Sequence, residues 1–173
     1  MSEEDSPALR YYRSLIGAWS GAFTFEITGK DALRAEKVGV RFPVTCMALL
    51  QRVTGPGRMS TTLAPLPERE RTFLHTTRVT AFAITLYETM EEISVTEDLR
   101  SFIVKGTQRP WPRLTRPEAY EGRGHVDPSA ASATYFLPWM GKELVQRTQV
   151  VPTGLSLTQE TAWSRGHVLL ERR

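Results

Sequence analysis

Two neighbouring segments of the chain place groups that could transfer protons among apolar residues in strict alternation. Because the side chains of an extended strand point alternately to opposite faces, His75 shares a face with Phe73 and Val79, and Tyr87 shares one with Glu91. Imidazole exchanges protons near neutral pH, and a carboxyl group held among apolar side chains can serve as a general acid or base. If the protein is an enzyme, Glu91, His75 and Tyr87 are therefore the predicted catalytic residues.

A larger set of residues would line an internal cavity if such faces point inward. These faces mix apolar with polar side chains, which suits a ligand with an apolar body and a few polar groups. The predicted ligand-binding residues are Phe73, His75, Tyr87, Glu91, Gln108, Tyr135, Gln159 and Trp163, and the polar ones other than Tyr135 are expected to line one cavity. Two alternatives stay open. The polar members could bond to neighbouring strands or water, and a one-residue shift in register would turn them outward.

The remaining chemistry-bearing residues predict neither a metal site nor a nucleophilic enzyme. His75, His125 and His167 lie far apart without a zinc-ligand spacing. The chain has no G-x-S-x-G elbow, Walker loop or dinucleotide fingerprint, and its single cysteine, Cys46, has no histidine in a readable arrangement beside it. We expect no cofactor, and Cys46 is interpreted as a small residue of a buried strand.

A short helix precedes the strands that would position these residues. Ser6 is a suitable cap, Pro7 fits the first helical position, and Gly17 ends the apolar repeat, so a helix is predicted over 6–16. Its apolar residues share one face and would lie over an apolar opening; they are Leu9, Tyr12, Leu15 and Ile16. Arg10, Tyr11 and Ser14 are expected to face water.

After Gly17 the apolar period changes to two, and short segments separated by Pro and Gly follow one another to the end of the chain. The pattern predicts strands at 19–27, 44–53, 58–63, 71–79, 87–96, 101–109, 119–127, 132–137, 143–151, 155–163 and 166–171. The segment 81–86 fits a loop, a short helix or the start of a strand. Short strands at this spacing are typical of an all-β sandwich or barrel, and the N-terminal helix favours the barrel.

The opening Gly17-Ala18-Trp19, entering the first strand after a helical turn, resembles the start of calycin superfamily proteins, the lipocalins and fatty-acid-binding proteins and their bacterial relatives. The resemblance implies an up-and-down antiparallel β-barrel over 17–172, with Arg165 or Arg172 packed over Trp19. It also implies a small apolar ligand in the interior or, as an alternative, a cofactor-independent cyclase or isomerase. A second alternative is a haem protein of the nitrobindin type, in which His167 would be the axial ligand.

Composition limits the classes of partner. A chain of 173 residues fits one domain over 1–173, and its 22 basic and 19 acidic residues are interspersed, so nucleic acid is not expected. The acidic start, Met1 to Asp5, has no apolar run behind it, so we expect no signal peptide, no membrane partner and a cytoplasmic protein. A monomer or homodimer is expected. The segments around Trp111 and Trp139 are interpreted as loops at the barrel rim or as local packing.

Overall fold

The computed structural model describes residues 6–82, 84–110 and 116–173. Within those ranges, ten antiparallel strands follow one another around a closed barrel, and the last strand closes on the first. The strands are β1 Gly17–Ile27, β2 Gly57–Pro65, β3 Thr72–Ala81, β4 Ile84–Val95, β5 Ser101–Pro110, β6 Glu118–Val126, β7 Ser132–Trp139, β8 Lys142–Val151, β9 Gly154–Glu160 and β10 Ser164–Arg172. The predicted all-β, up-and-down antiparallel barrel with an N-terminal helix is confirmed.

The predicted alternation matches the burial along the strands. Inward residues of β3, β4 and β5 are buried, among them Phe73, Val79, Ile93, Phe102 and Val104, while their sequence neighbours are more exposed. Burying an aliphatic or aromatic side chain stabilises the fold by about 1.5–3 kcal/mol. Of the segment 81–86, for which the sequence allowed three structures, residues 84–86 are the start of a strand: Ile84 begins β4, and Ala81 ends β3.

The N-terminal helix closes one end of the barrel. This helix, α1, spans Pro7–Ser14, and the Ser6 hydroxyl caps it by accepting from the Leu9 N–H. Tyr12 is buried as expected, but the prediction that Tyr11 faces water is wrong, because Tyr11 has no exposed surface. A helix inserted into a barrel mouth is enclosed on more than one side, so both tyrosines enter the interior.

Trp19 ties α1 to the first and last strands. The Trp19 indole Nε1 donates to the Leu15 carbonyl at 2.8 Å, and the Arg172 guanidinium lies 5.0 Å from the ring centroid. Arg172 Nη2 also donates to the carbonyls of Ser14, the last residue of α1, and of Ile16. Of the two predicted arginines, Arg172 is therefore the one that packs over Trp19, whereas Arg165 pairs with Glu160.

The segment predicted as a strand at 44–53 is helical, so that prediction is wrong. Helix α2 spans Lys30–Arg34 and helix α3 spans Val38–Thr54, between β1 and β2. Only one side of α3 is buried, through Pro43, Val44 and Met47, which is helical rather than strand periodicity. Cys46 therefore lies half-buried on a helix.

One side chain of α3 fixes it to the barrel at the end opposite α1. β1 extends beyond Phe23, its last residue paired with β2. There the side chain of Gln51 bonds to the β1 backbone as a neighbouring strand would. Its Oε1 accepts from the Phe25 N–H at 2.7 Å, and its Nε2 donates to the Phe23 carbonyl at 3.1 Å. No helix in the described part of the chain is long and apolar enough to cross a bilayer.

Candidate functional site

A chain of hydrogen-bonded polar side chains crosses the barrel interior. Glu91 on β4 accepts from the Tyr120 hydroxyl through Oε1, and its Oε2 lies 2.6 Å from His75 Nδ1. His75 Nε2 lies 2.6 Å from Thr61 Oγ1, which donates to the Thr76 carbonyl at 2.8 Å. We call Tyr120, Glu91, His75 and Thr61 the interior polar chain. It brings together residues of four strands, β6, β4, β3 and β2.

The number of hydrogens needed along the interior polar chain shows that the Glu91–His75 pair carries one proton between its two atoms in contact. Thr61 has one hydroxyl hydrogen and donates it to a carbonyl, so His75 Nε2 must be the donor in its contact with Thr61. The short contact between His75 Nδ1 and Glu91 Oε2 then needs a second hydrogen, carried by either atom. The pair is neutral as a whole in both arrangements, which suits its burial: the side chains are 18% and 7% exposed.

The tyrosines around the interior polar chain are held in their neutral form. Burial, followed by the nearby Glu91 carboxyl, raises the pKa of Tyr87 and of Tyr120 far above 10. Burial is also the main reason that the pKa of Tyr135 is raised to about 12. Each of these hydroxyls therefore keeps its hydrogen at and well above neutral pH.

Among the described residues, the predicted polar residues do not line a single cavity, and two small cavities lie in the barrel interior. A cavity of about 30 Å³ lies beside α1 and is lined by His75, Thr61 and Tyr135 among others. A cavity of about 40 Å³ lies beneath α3, lined by Met47, Tyr87, Trp139 and Gln159 among others. Tyr11 and Tyr12 of α1 also line the cavity beside α1, and each cavity has about the volume of one water molecule.

The predicted ligand-binding residues all lie in the interior, but in different places. His75 and Tyr135 line the cavity beside α1, and Tyr87 and Gln159 line the one beneath α3. Glu91 joins the interior polar chain, while Phe73 stacks on Tyr12 at 5.2 Å. Gln108 accepts from the Tyr87 hydroxyl at 3.3 Å, and Trp163 packs against Trp139 at 5.1 Å. Their roles in binding or catalysis remain predictions.

Two buried polar atoms inside the barrel have no hydrogen-bond partner among the described residues: Thr89 Oγ1 and Trp163 Nε1. Thr89 pairs across the sheet with Thr77, whose hydroxyl donates to Thr61, so it borders the interior polar chain. The Trp163 ring contacts Trp139, which lines the cavity beneath α3. An unpaired buried hydroxyl or indole N–H costs about 1–3 kcal/mol, so both atoms are available to a bound molecule.

Sequence reasoning missed two members of the interior polar chain, Tyr120 and Thr61. The signal for Tyr120 was present, because β6 alternates Tyr120, Gly122, Gly124 and Val126 on its inward face. The signal for Thr61 was weaker, since it lies in a run of polar residues where alternation between faces does not show.

Neither the haem alternative nor the rim-loop interpretation of Trp139 fits the structure. Val168 and Gly166 point inward on β10, so His167 lies on the exposed outer face and cannot ligate a haem within the barrel. Trp139 is buried at the end of β7, which agrees with the local-packing interpretation and not with a rim loop, and Trp111 lies outside the described residues. Among the residues that the structure describes, no three His, Cys, Asp or Glu side chains are grouped so as to hold a metal ion.

Comparison with known proteins gives no assignment: no family model matches the chain, and no curated protein matches it.

Proposed function

We propose that the protein is a calycin-type barrel that binds a small, largely apolar molecule in its interior, with the interior polar chain as the polar contact. The observation that carries this proposal is the buried Glu91–His75 pair. A buried pair of this kind gives little net stability compared with apolar residues of the same shape, so its presence among the buried polar side chains of the barrel favours a binding role. The unpaired Thr89 hydroxyl and Trp163 indole N–H add two more groups that a ligand could satisfy.

The cavity beneath α3 is the proposed place of entry. Its wall includes Met47, whose flexible thioether side chain can move more readily than the aromatic rings around it. A cavity of about 40 Å³ holds one water molecule, so a ligand must displace side chains as it enters. Met47 belongs to α3, which is not one of the hydrogen-bonded strands of the barrel. Movement of the Met47 side chain therefore leaves the barrel wall intact.

A neutral fluorescent probe, N-phenyl-1-naphthylamine, tests this proposal by energy transfer from the buried Trp139 and Trp163. We expect binding to the native protein and tighter binding to Met47→Ala, because the truncation enlarges the cavity. Met90→Ala is the matched control, since Met90 lies outside the barrel and is 58% exposed. No binding to either the native protein or Met47→Ala, or the same change in Met90→Ala, would contradict the proposal.

The proton of the Glu91–His75 pair favours a second candidate, a cofactor-independent isomerase or cyclase acting on the bound molecule. The pair could remove a proton from one substrate atom and return it to another, so that protons balance without an oxidant or reductant. If a co-purified molecule is identified, Glu91→Gln should retain binding and lose conversion. Unchanged conversion in Glu91→Gln would exclude this role.

A further inference from the structure

A wide groove lies at the end of the barrel where β1 extends beyond its last pair with β2, between β1 and the helices. It has a volume of about 760 Å³, within the range of small-molecule sites. Side chains of α2, α3 and β1 line it, among them Leu33, Leu49, Phe25 and Ile27. None of the groups of the interior polar chain lines this groove, so it is a separate site.

The charge around the groove is strongly positive. Lys30, Arg34, Arg41 and Arg52 all line it, against one acidic side chain, Glu26. Arg34 pairs with Asp31 at 3.3 Å, and no carboxylate of the described residues lies within ion-pair distance of the other three cations.

This charge is a local property of the helices. The segment 30–54 holds five basic and two acidic residues of the chain's 22 and 19, which leaves 17 of each sign elsewhere. The whole excess of positive charge therefore lies in the helical segment. Such a surface attracts an anion and repels a second copy of itself.

The floor of the groove is apolar, and an inorganic anion would gain no favourable contact with it. Phe25, Ile27 and Leu33 form part of it, and Leu49 stands beside them with 59% of its surface exposed. Three of the four cations are arginines, whose planar guanidinium donates two parallel hydrogen bonds to a phosphate. The combination fits a molecule with an apolar chain and a phosphate head.

We propose that this groove binds a single-chain amphiphile with a phosphate head group, the head on Arg41 or Arg52, which lie about three turns apart on α3, and the chain on the apolar floor. The site does not depend on the proposed interior function. Phe25 is the residue that lines both the groove and the cavity beneath α3.

Calorimetric titration with decyl phosphate below its critical micelle concentration tests the proposal. We expect saturable binding of one molecule per chain. Inorganic phosphate, which lacks the apolar chain, and decanol, which lacks the phosphate, should bind much more weakly. Arg41→Glu/Arg52→Glu should weaken decyl phosphate binding by about tenfold or more. Leu49→Ser should weaken it as well, because it removes apolar contact.

The matched control is Arg100→Glu/Arg123→Glu, which changes the net charge equally at two exposed positions away from the groove. Circular dichroism verifies that each variant folds. Equal loss of binding in both double variants would show non-specific attraction and overturn the proposal, as would binding of phosphatidylglycerol vesicles without binding of monomeric decyl phosphate. Met47→Ala separates the two sites, because Met47 lines the cavity beneath α3 and not the groove: it should tighten binding of the interior probe and leave decyl phosphate binding unchanged.

Discussion

His75 Nδ1 lies 2.6 Å from Glu91 Oε2 inside the barrel, on adjacent strands and in direct cross-strand register. Both side chains point inward because both occupy inward positions of the alternating pattern. The pair is therefore built into the interior by the register of β3 and β4.

The pair should behave as a coupled unit in unfolding experiments. His75→Leu and Glu91→Leu should each destabilise the fold by about 2–4 kcal/mol, since each leaves a buried group unpaired. The double variant should cost no more than the larger single loss, because the partner left unpaired is also removed. Urea unfolding of the four proteins measures this.

Arg69 and Glu92, which pair at 2.7 Å on the exposed surface, provide the control cycle. Their coupling should stay within about 1 kcal/mol. Additive losses at His75 and Glu91 would mean that the two side chains do not depend on each other.

All five tyrosines of the chain should remain protonated until the barrel unfolds in alkali. The pKa of each is raised, by burial first of all, for Tyr11, Tyr12, Tyr87, Tyr120 and Tyr135. Because the folded-state values lie above the unfolded value near 10, the stability they contribute is complete below about pH 10 and declines as pH rises further. Absorbance at 295 nm should therefore rise in one step together with loss of the circular dichroism signal. Gradual tyrosinate formation in the folded protein would contradict the enclosed interior.

Arg172→Ala should destabilise the junction of α1 with the barrel. It removes the contact with Trp19 and two hydrogen bonds to carbonyls at the end of α1, together worth about 1–2 kcal/mol. Arg165→Ala is the control, because its pair with Glu160 is exposed and should contribute less than about 1 kcal/mol. Thermal unfolding compares them, and equal losses would remove the special role of Arg172.

Asp98 should make the β4–β5 turn sensitive to acid. Its carboxylate accepts hydrogen bonds from the N–H groups of Ser101 and Arg100 and from the Ser101 and Thr96 hydroxyls, which lowers its pKa well below the usual value. The stability it contributes is therefore present above about pH 4 and is lost as pH falls below that value. Asp98→Ala should be less stable than the native protein at pH 7, and the difference should shrink on acidification. A difference independent of pH would contradict this assignment.

The inward faces of the strands could be predicted from the sequence because alternation is a local property of an extended chain. Helix α3 could not, because Val44 and Val53 favour strands locally and only packing of Met47 and Val44 onto the barrel end reveals the helical period. The two small cavities were also beyond prediction, since they depend on how far Tyr11 and Tyr12 reach into the barrel. The link between Tyr120 and Glu91 depends on the order of strands around the barrel, which alternation does not specify.

The proposed interior binding is tested most directly by native mass spectrometry of the freshly purified protein, before and after exposure to a cell extract. We expect one small molecule per chain, released on denaturation and held in greater amount by Met47→Ala than by Met90→Ala. A mass that equals the bare chain in every sample, for both variants and after the extract, would contradict it.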